Sequence, residues 1–505
     1  MDILTKFIHP ALLFILLGAS LMTSLPVKSN TTSIFTIELD CNKNNGTIFP
    51  YAEINSGPLP IYYIKDGADL TKQYQEIGID FVRTHDFYGP TDISTIFPNW
   101  SADPKLESSY NFNASDVYIT SIINAGCRVF YRLGESASDN ESLRQPPKNF
   151  SKWADVCKHI VMHYNDGWNN GYHYNITYWE IWNEPDLNGF WNGTAEEYYR
   201  LYNITAKTLK AYDSSLKVGG PCTSSIANKN YTIGFLEYVS KNDVPLDFYS
   251  WHLYANSPQE IYAASRYVRK LLDEYGFINC ENINTEWNIN ILTPQRDKDN
   301  AKNAAFTACS LISFQDAGLD HSFRYRGTQD NSWLLRLIGF DLSLFAFDGK
   351  YKTPALAYLA MHYVAKDTPI RLTPPMNGSG ITYLAGISED KTNISILISN
   401  YESSDTPCII NVTNLPWNGS YTAIHYIIDD SHHLEITENA TCNTSIYSKI
   451  QTIKHNTVHL IRLTNSTMIP NEGPSVAKIP FLLRLHILDP ITRMLGIFLL
   501  MLIFG

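Results

Sequence analysis

Residues 48–365 predict a (β/α)8 TIM barrel and residues 366–470 an antiparallel β-sandwich, which makes the chain an α/β protein with a C-terminal all-β domain. Three observations carry this reading. Across the first span, eight short β-rich apolar runs alternate with longer stretches of helical periodicity, the signature of βαβ units around a parallel sheet. Eight units in about 320 residues suit a closed barrel with decorated loops better than an open sheet. After about residue 366 the pattern changes to alternating runs separated by Gly, Pro, Asn and Asp, which marks antiparallel strands. A chain of 505 residues has room for both domains, since single hydrophobic cores stop growing at roughly 250–300 residues.

Taken in order, Lys6 precedes the apolar run Pro10 to Leu17, which small and polar residues follow. The run is too short to span a bilayer, so residues 1–29 read as a cleavable secretory signal. Within residues 30–47, the run Ser33 to Leu39 lies outside the barrel pattern and is expected to add a strand to the sandwich. The eight barrel candidates are Tyr51 to Asn55, Phe81 to His85, Arg128 to Leu133, Thr177 to Trp182, Lys217 to Pro221, Asp247 to Tyr254, Asn282 to Glu286 and His321 to Tyr325. Between them, Ala195 to Tyr212 keeps an apolar stripe at i, i+3, i+4 spacing. Thr194 is its expected N-cap, and Glu197 completes a capping box. In the sandwich, Thr392 to Ile398 and Thr457 to Leu463 alternate cleanly. Residues 471–505 end in a uniformly apolar stretch, Met494 to Gly505, after Arg493. With Gly473, Ser475 and Ala477 upstream it matches a lipid-anchor signal, although Phe481-Leu482-Leu483 interrupts the polar spacer. Membrane attachment and an amphipathic tail packed on the fold are both open.

Composition narrows the partners. A formal charge of −11 with no basic run argues against nucleic acid or another polyanion. Aromatic residues make up 13% of the chain, enough to fill cores and to stack on sugar faces. Asn-x-Ser/Thr recurs seventeen times, at Asn113, Asn140, Asn192, Asn230, Asn393 and Asn418 among others. Together with the signal, this predicts a secretory-pathway glycoprotein that is extracellular, lysosomal or anchored at the cell surface. Eight cysteines fit an oxidising route. Cys408 and Cys442 are the expected disulfide, while Cys127 and Cys309 read as buried thiols. No Cys/His cluster has zinc-ligand spacing, and neither metal nor organic cofactor is implied. Nothing in the sequence specifies an oligomeric state.

The densest chemistry is Tyr178-Trp179-Glu180-Ile181-Trp182-Asn183-Glu184-Pro185. Pro185 biases Glu184 toward extended or turn geometry, so its carboxylate should sit at the C-terminal rim of the strand, where barrel enzymes place their sites. A second carboxylate, Glu286, closes another strand in Asn284-Thr285-Glu286-Trp287-Asn288. Two facing carboxylates are what glycosidic cleavage needs: one protonates the leaving oxygen while the other attacks or activates water. Alternation along the strands puts Glu180 and Trp182 on the face of Glu184, and predicts two more inward sets: Phe81, Arg83, His85 and Phe248, Ser250, His252, Tyr254. Glu180, deeper in its strand, is expected to pair with a buried Arg83 or Arg132.

These segments, with Leu216 to Pro221, Ser250-Trp251-His252-Leu253-Tyr254 and Thr285-Glu286-Trp287-Asn288, resemble glycoside hydrolase family 39. That family holds β-xylosidases and α-L-iduronidases among the retaining barrel enzymes of clan A. The resemblance runs from about Asn55 to beyond residue 360. It implies Glu184 as acid/base, Asn183 as a contact to the sugar 2-hydroxyl and Glu286 as nucleophile. It also implies His85 as a sugar ligand supported by Arg83, and His252 and Tyr254 as a pair with the tyrosine near the nucleophile.

The eighth strand departs from the family pattern, with His321-Ser322-Phe323-Arg324-Tyr325-Arg326-Gly327 in place of a Trp-bearing segment. An inward Tyr325 could replace that platform. Arg324 or Arg326 at the rim could meet an acidic sugar, or pair with Asp330 or Asp341. The sequence therefore predicts a retaining, β-xylosidase-like glycoside hydrolase acting by two-step displacement. Its alternatives are an α-L-iduronidase-like hydrolase and a carbohydrate-binding protein without catalysis.

Overall fold

The computed structural model describes residues 34–465, apart from 60–66, 86–88, 137–139, 328–338 and 377–379. The expected signal, the C-terminal tail and Asp330 lie outside the described residues. Strand β1 (Phe35–Asp40) comes first. Eight strands then form a closed barrel in chain order: β2 (Glu53–Asn55), β3 (Phe81–Arg83), β4 (Arg128–Leu133), β5 (Tyr178–Ile181), β6 (Lys217–Thr223), β7 (Phe248–Ala255), β8 (Glu281–Ile289) and β9 (His321–Arg324). Every adjacent pair is parallel, and β9 closes on β2. These are the eight candidate runs, so the (β/α)8 reading holds.

The barrel floor is aromatic because alternation brings one inward residue from each of six strands to the same level. Phe81, Phe130, Tyr178, Phe248, Ile283 and Phe323 form a core of their own there. The Phe130 ring sits 4.7 Å from Phe323, 5.2 Å from Phe248 and 5.3 Å from Tyr178. Gly219 on β6 makes room for this layer, since a Cβ there would stand 2.2 Å from the Phe248 carbonyl oxygen. One level higher the inward residues turn polar, and the site begins.

Helices fill the outer ring. Ala195–Tyr212 starts at the predicted capping box: Glu197 N–H donates to Thr194 Oγ1 at 3.2 Å and Thr194 N–H to Glu197 Oε2 at 2.8 Å. Helix Ala301–Phe314 is buried at nearly every position. A helix apolar on all sides needs cover on all sides, and the C-terminal domain supplies it.

That domain has two sheets. β10 (Ile370–Arg371), β11 (Ile381–Ile387), β12 (Asn393–Asn400), β14 (Tyr421–Ile428), β15 (His433–Cys442) and β17 (Thr457–Thr464) make a six-stranded sheet in the order β10-β11-β12-β17-β14-β15. β13 (Thr406–Thr413) and β16 (Tyr447–Ile453) make a second sheet with β1, which pairs parallel to β13. Alternation along β12 sends Ile394, Ile396 and Ile398 into the space between the sheets and Leu397 toward the barrel helices. Ser399 Oγ donates to the Ala305 carbonyl at 2.7 Å, and Arg371 holds both carboxylate oxygens of Asp316. The six-stranded sheet is thus covered on both faces.

The expected Cys408–Cys442 disulfide is not formed. All eight cysteines are free thiols, and these two stand on strands of different sheets, Cys408 on β13 and Cys442 at the end of β15.

Candidate active site

Arg83 organises the rim. Its side chain is fully buried on β3, one level above the aromatic floor, and its guanidinium spreads donors over five partners. Nε reaches Glu180 Oε2 at 2.7 Å, Nη1 reaches Asn55 Oδ1 and Glu286 Oε1 at 2.9 Å each, and Nη2 reaches Asn183 Oδ1 at 2.8 Å and Cys222 Sγ at 3.0 Å. One guanidinium thus faces two buried carboxylates, Glu180 and Glu286, and pairs with both through charge-assisted hydrogen bonds. Glu180 is therefore the expected partner of Arg83, whereas Arg132 binds Asp92 at 2.8 Å and Ser136 at 3.1 Å.

Glu184 reaches the rim by a turn rather than by strand alternation. β5 ends at Ile181, and both Trp182 (φ 75°) and Glu184 (φ 42°) adopt left-handed backbone angles that cost free energy for non-glycine residues. Trp182 consequently leaves the predicted inward face. Its ring lies 5.8 Å from Trp153 and 5.1 Å from Trp191, with Nε1 donating to the Phe190 carbonyl. The Glu184 amide is tied to the Cys222 carbonyl at 2.9 Å, and Cys222 is itself left-handed at φ 59°. Register irregularities fall at the C-terminal end of β6 and within β7 and β8. Bulges at barrel rims re-aim side chains in this way, and here they put Glu286 directly opposite His252.

The two carboxylates meet at His252. One oxygen each of Glu184 and Glu286 and one His252 ring nitrogen all lie within 4.8 Å of one another. His252 Nδ1 is 2.7 Å from Glu184 Oε1 and 3.6 Å from Glu286 Oε2. Tyr254 donates to Glu286 Oε2 at 2.7 Å, and His85 Nε2 stands 3.6 Å from Glu286 Oε1. These three groups have donor spacing that could hold a metal ion, but the Arg83 cation already bonds Glu286 and opposes a second positive charge.

Burial shifts Glu184, Glu286, His252 and His85. It pushes Glu184 up to about 8, with Asp186 adding to the shift and Arg83 opposing it. Glu286 is also raised by burial, against the pull of His252, Arg83 and the Tyr254 hydrogen bond. His252 is lowered to about 4, chiefly by burial, and stays a neutral imidazole. His85 is driven well below its ordinary value by burial and by Arg83 and Arg132.

Asn183 keeps its Nδ2 unpaired although the residue is fully buried, and His85 Nδ1 is likewise without a partner among the described residues. Tyr325 is buried at the end of β9, its ring 6.3 Å from Tyr254 and edge-on to it. Arg324 is not at the rim. It points outward over Trp287 and bonds Thr307, Asn288 and Asn303, because alternation that turns Phe323 into the floor must turn Arg324 out. Arg326 is buried with its charge acting on His85. Two members of the site were not foreseen. Asn55 was legible from alternation on β2, whereas Cys222 lies past the predicted end of its strand, beyond a bulge that no periodicity announces.

The fold and the rim define a class: an eight-stranded barrel whose strand ends carry paired, buried carboxylates around an arginine. The model of glycosyl hydrolases family 39 matches residues 36–333, and the chain belongs to that family. It is 27% identical over 287 residues to a β-xylosidase of Geobacillus stearothermophilus, a match covering 50% of this chain and 56% of that protein. The chain spans about half the length of the curated relatives it matches. Among solved structures, a glucosidase from Croceicoccus marinus superposes with a TM-score of 0.75 at 25% identity, covering 86% of this chain and all of that one. The GH39 enzyme from Xanthomonas axonopodis pv. citri gives 0.68 at 20% identity, over 87% and 99% of the two chains.

Proposed function

We propose that the protein is a retaining glycoside hydrolase of β-xylosidase-like or related β-glycosidase specificity, with Glu286 as nucleophile and Glu184 as acid/base. The observation that carries this is the opposed surroundings of two close carboxylates. Glu286 accepts from Arg83 at 2.9 Å and Tyr254 at 2.7 Å, both of which favour its charged form. Glu184 meets a neutral imidazole, and burial keeps its proton up to about 8. Pairs whose environments differ in this sense divide into acid and base. One oxygen of each carboxylate lies within 4.8 Å of the other, which supports the roughly 5–5.5 Å arrangement of a retaining pair over the roughly 6.5–9.5 Å of an inverting one.

The sequence of events follows. Glu286 attacks the anomeric carbon while Glu184 protonates the leaving oxygen, which yields a glycosyl-enzyme. Glu184, now ionised, deprotonates the water that releases the sugar. Asn183 Nδ2 supplies a free donor to the sugar, and Tyr325 a wall beside it. An iduronidase-like reading draws on Arg132, whose Nε and Nη1 have no partner among the described residues and whose charge acts on His85. A uronate carboxylate would satisfy both nitrogens.

A secretory, glycosylated form is part of the proposal. Fifteen of the seventeen sequon asparagines fall in described residues, and none of them is buried. The fully buried asparagines Asn55, Asn183, Asn282, Asn284, Asn288 and Asn400 all lie outside sequons.

The test is hydrolysis of aryl β-xyloside, β-glucoside, β-galactoside and α-L-iduronide by the purified protein, with Glu184→Gln as control. Turnover of one β-glycoside with retained anomeric configuration is expected. Preference for the iduronide selects the second reading, and binding without hydrolysis of any substrate removes both.

A further inference from the structure

We infer that Cys222 is a positioning residue: its thiol fixes the tautomer of His252 and, through it, which oxygen of Glu184 carries the proton. The inference rests on the reading of Glu184 as acid/base. Cys222 Sγ lies 2.9 Å from His252 Nε2, while its other possible acceptors, Asn183 Oδ1 and Thr285 Oγ1, are at 3.5 Å. Arg83 Nη2 donates to the sulfur at 3.0 Å. That donation occupies a sulfur lone pair and polarises the S–H bond, so the thiol hydrogen goes to the nearest acceptor, Nε2. A neutral imidazole carries one ring proton. With Nε2 accepting, that proton is on Nδ1, which donates to Glu184 Oε1 at 2.7 Å. The acid proton of Glu184 is then left to Oε2, the oxygen free for the leaving group.

The groups facing this relay are Arg83, Glu180, Glu286 and Asp186 around His252, with His85 and Tyr254 beside it. Burial keeps Cys222 a thiol, well above its ordinary titration range, and so a donor. Without the thiol, His252 can move its proton to Nε2 and offer Nδ1 as an acceptor. Glu184 Oε1 then holds the proton against the ring, which favours the protonated acid while aiming it away from the substrate.

The experiment compares pH profiles of kcat and KM for the unmodified protein, Cys222→Ser and Cys222→Ala on a glycoside with a poor leaving group. Neutron diffraction of the unmodified protein locates the His252 proton independently of any variant. The expected results are a deuteron on Nδ1 and none on Nε2. In Cys222→Ala the alkaline limb should move up by about one pH unit, with kcat lowered and KM little changed, and Cys222→Ser should restore the limb. A deuteron on Nε2, an unmoved limb in Cys222→Ala, or a serine variant shifted as far as the alanine one overturns the inference. An alkaline limb that survives in Glu184→Gln would instead remove the acid/base reading itself.

Discussion

Glu184 and Glu286 are the same residue type, buried on the same rim, and differ in what surrounds them. Because Glu184 must be protonated to act as the acid and holds its proton up to about 8, activity should fall as pH rises through that value. The fall should vanish with a dinitrophenyl leaving group, which needs no acid; kcat/KM profiles on the two leaving groups check it. Arg83 is the second lever. Arg83→Lys keeps the charge but not the planar fork that serves five acceptors, so kcat/KM should drop roughly 100-fold through misplacement of Glu286. A lysine variant with ordinary kinetics would show that charge alone suffices. The sequence announced Glu184 through Asn-Glu-Pro, and Arg83, His252 and Tyr254 through alternation. It could not announce Cys222, whose approach depends on a left-handed backbone angle two residues beyond Gly220.

Alternation is reliable along an unbroken ladder and fails at bulges, as between Ile283 and Glu286 on β8, and at strand ends. β3 and β7 put Phe81, Arg83, Phe248, His252 and Tyr254 where period two places them. β5 stops at Ile181, so extrapolating one step further misplaced Trp182. Arg324 shows the same rule from the other side, since Phe323 in the floor leaves it no inward position. Within the barrel, Phe130→Ala should cost about 3–5 kcal/mol, because its ring fills the centre of a layer with no element able to collapse onto the void; denaturant unfolding measures it. Thr194→Ala should cost about 1 kcal/mol through loss of the capping box, with kinetics unchanged. In the sandwich, His425 Nε2 lies 3.0 Å from His459 Nδ1. Burial foremost lowers them to about 4 and about 3. The unfolded chain binds these protons from about 6.5 downward and the folded one does not. Stability is therefore full above that pH and is lost as pH falls toward 3, a trend that thermal melts of His425→Gln/His459→Gln should show weakened.

At the scale of the whole chain, barrel and sandwich share helix Ala301–Phe314 as a common buried layer. The change of period near residue 366 was visible in sequence, but not the order of the sheets or the parallel pairing of β1 with β13, because strand partnership depends on contacts across some 370 residues. A chain cut after residue 367 would bare the face of this helix that β11, β12 and β17 cover. It should bind a hydrophobic dye and aggregate, whereas a soluble, active barrel would show that the sandwich is dispensable. The central claim, that Glu286 attacks and Glu184 transfers protons, is tested most directly by azide. Glu286→Ala should be inactive alone and yield the inverted glycosyl azide when azide is added, while Glu184→Ala yields the retained one. The opposite assignment of the two products, or an inverted azide from the unmodified protein, would contradict it.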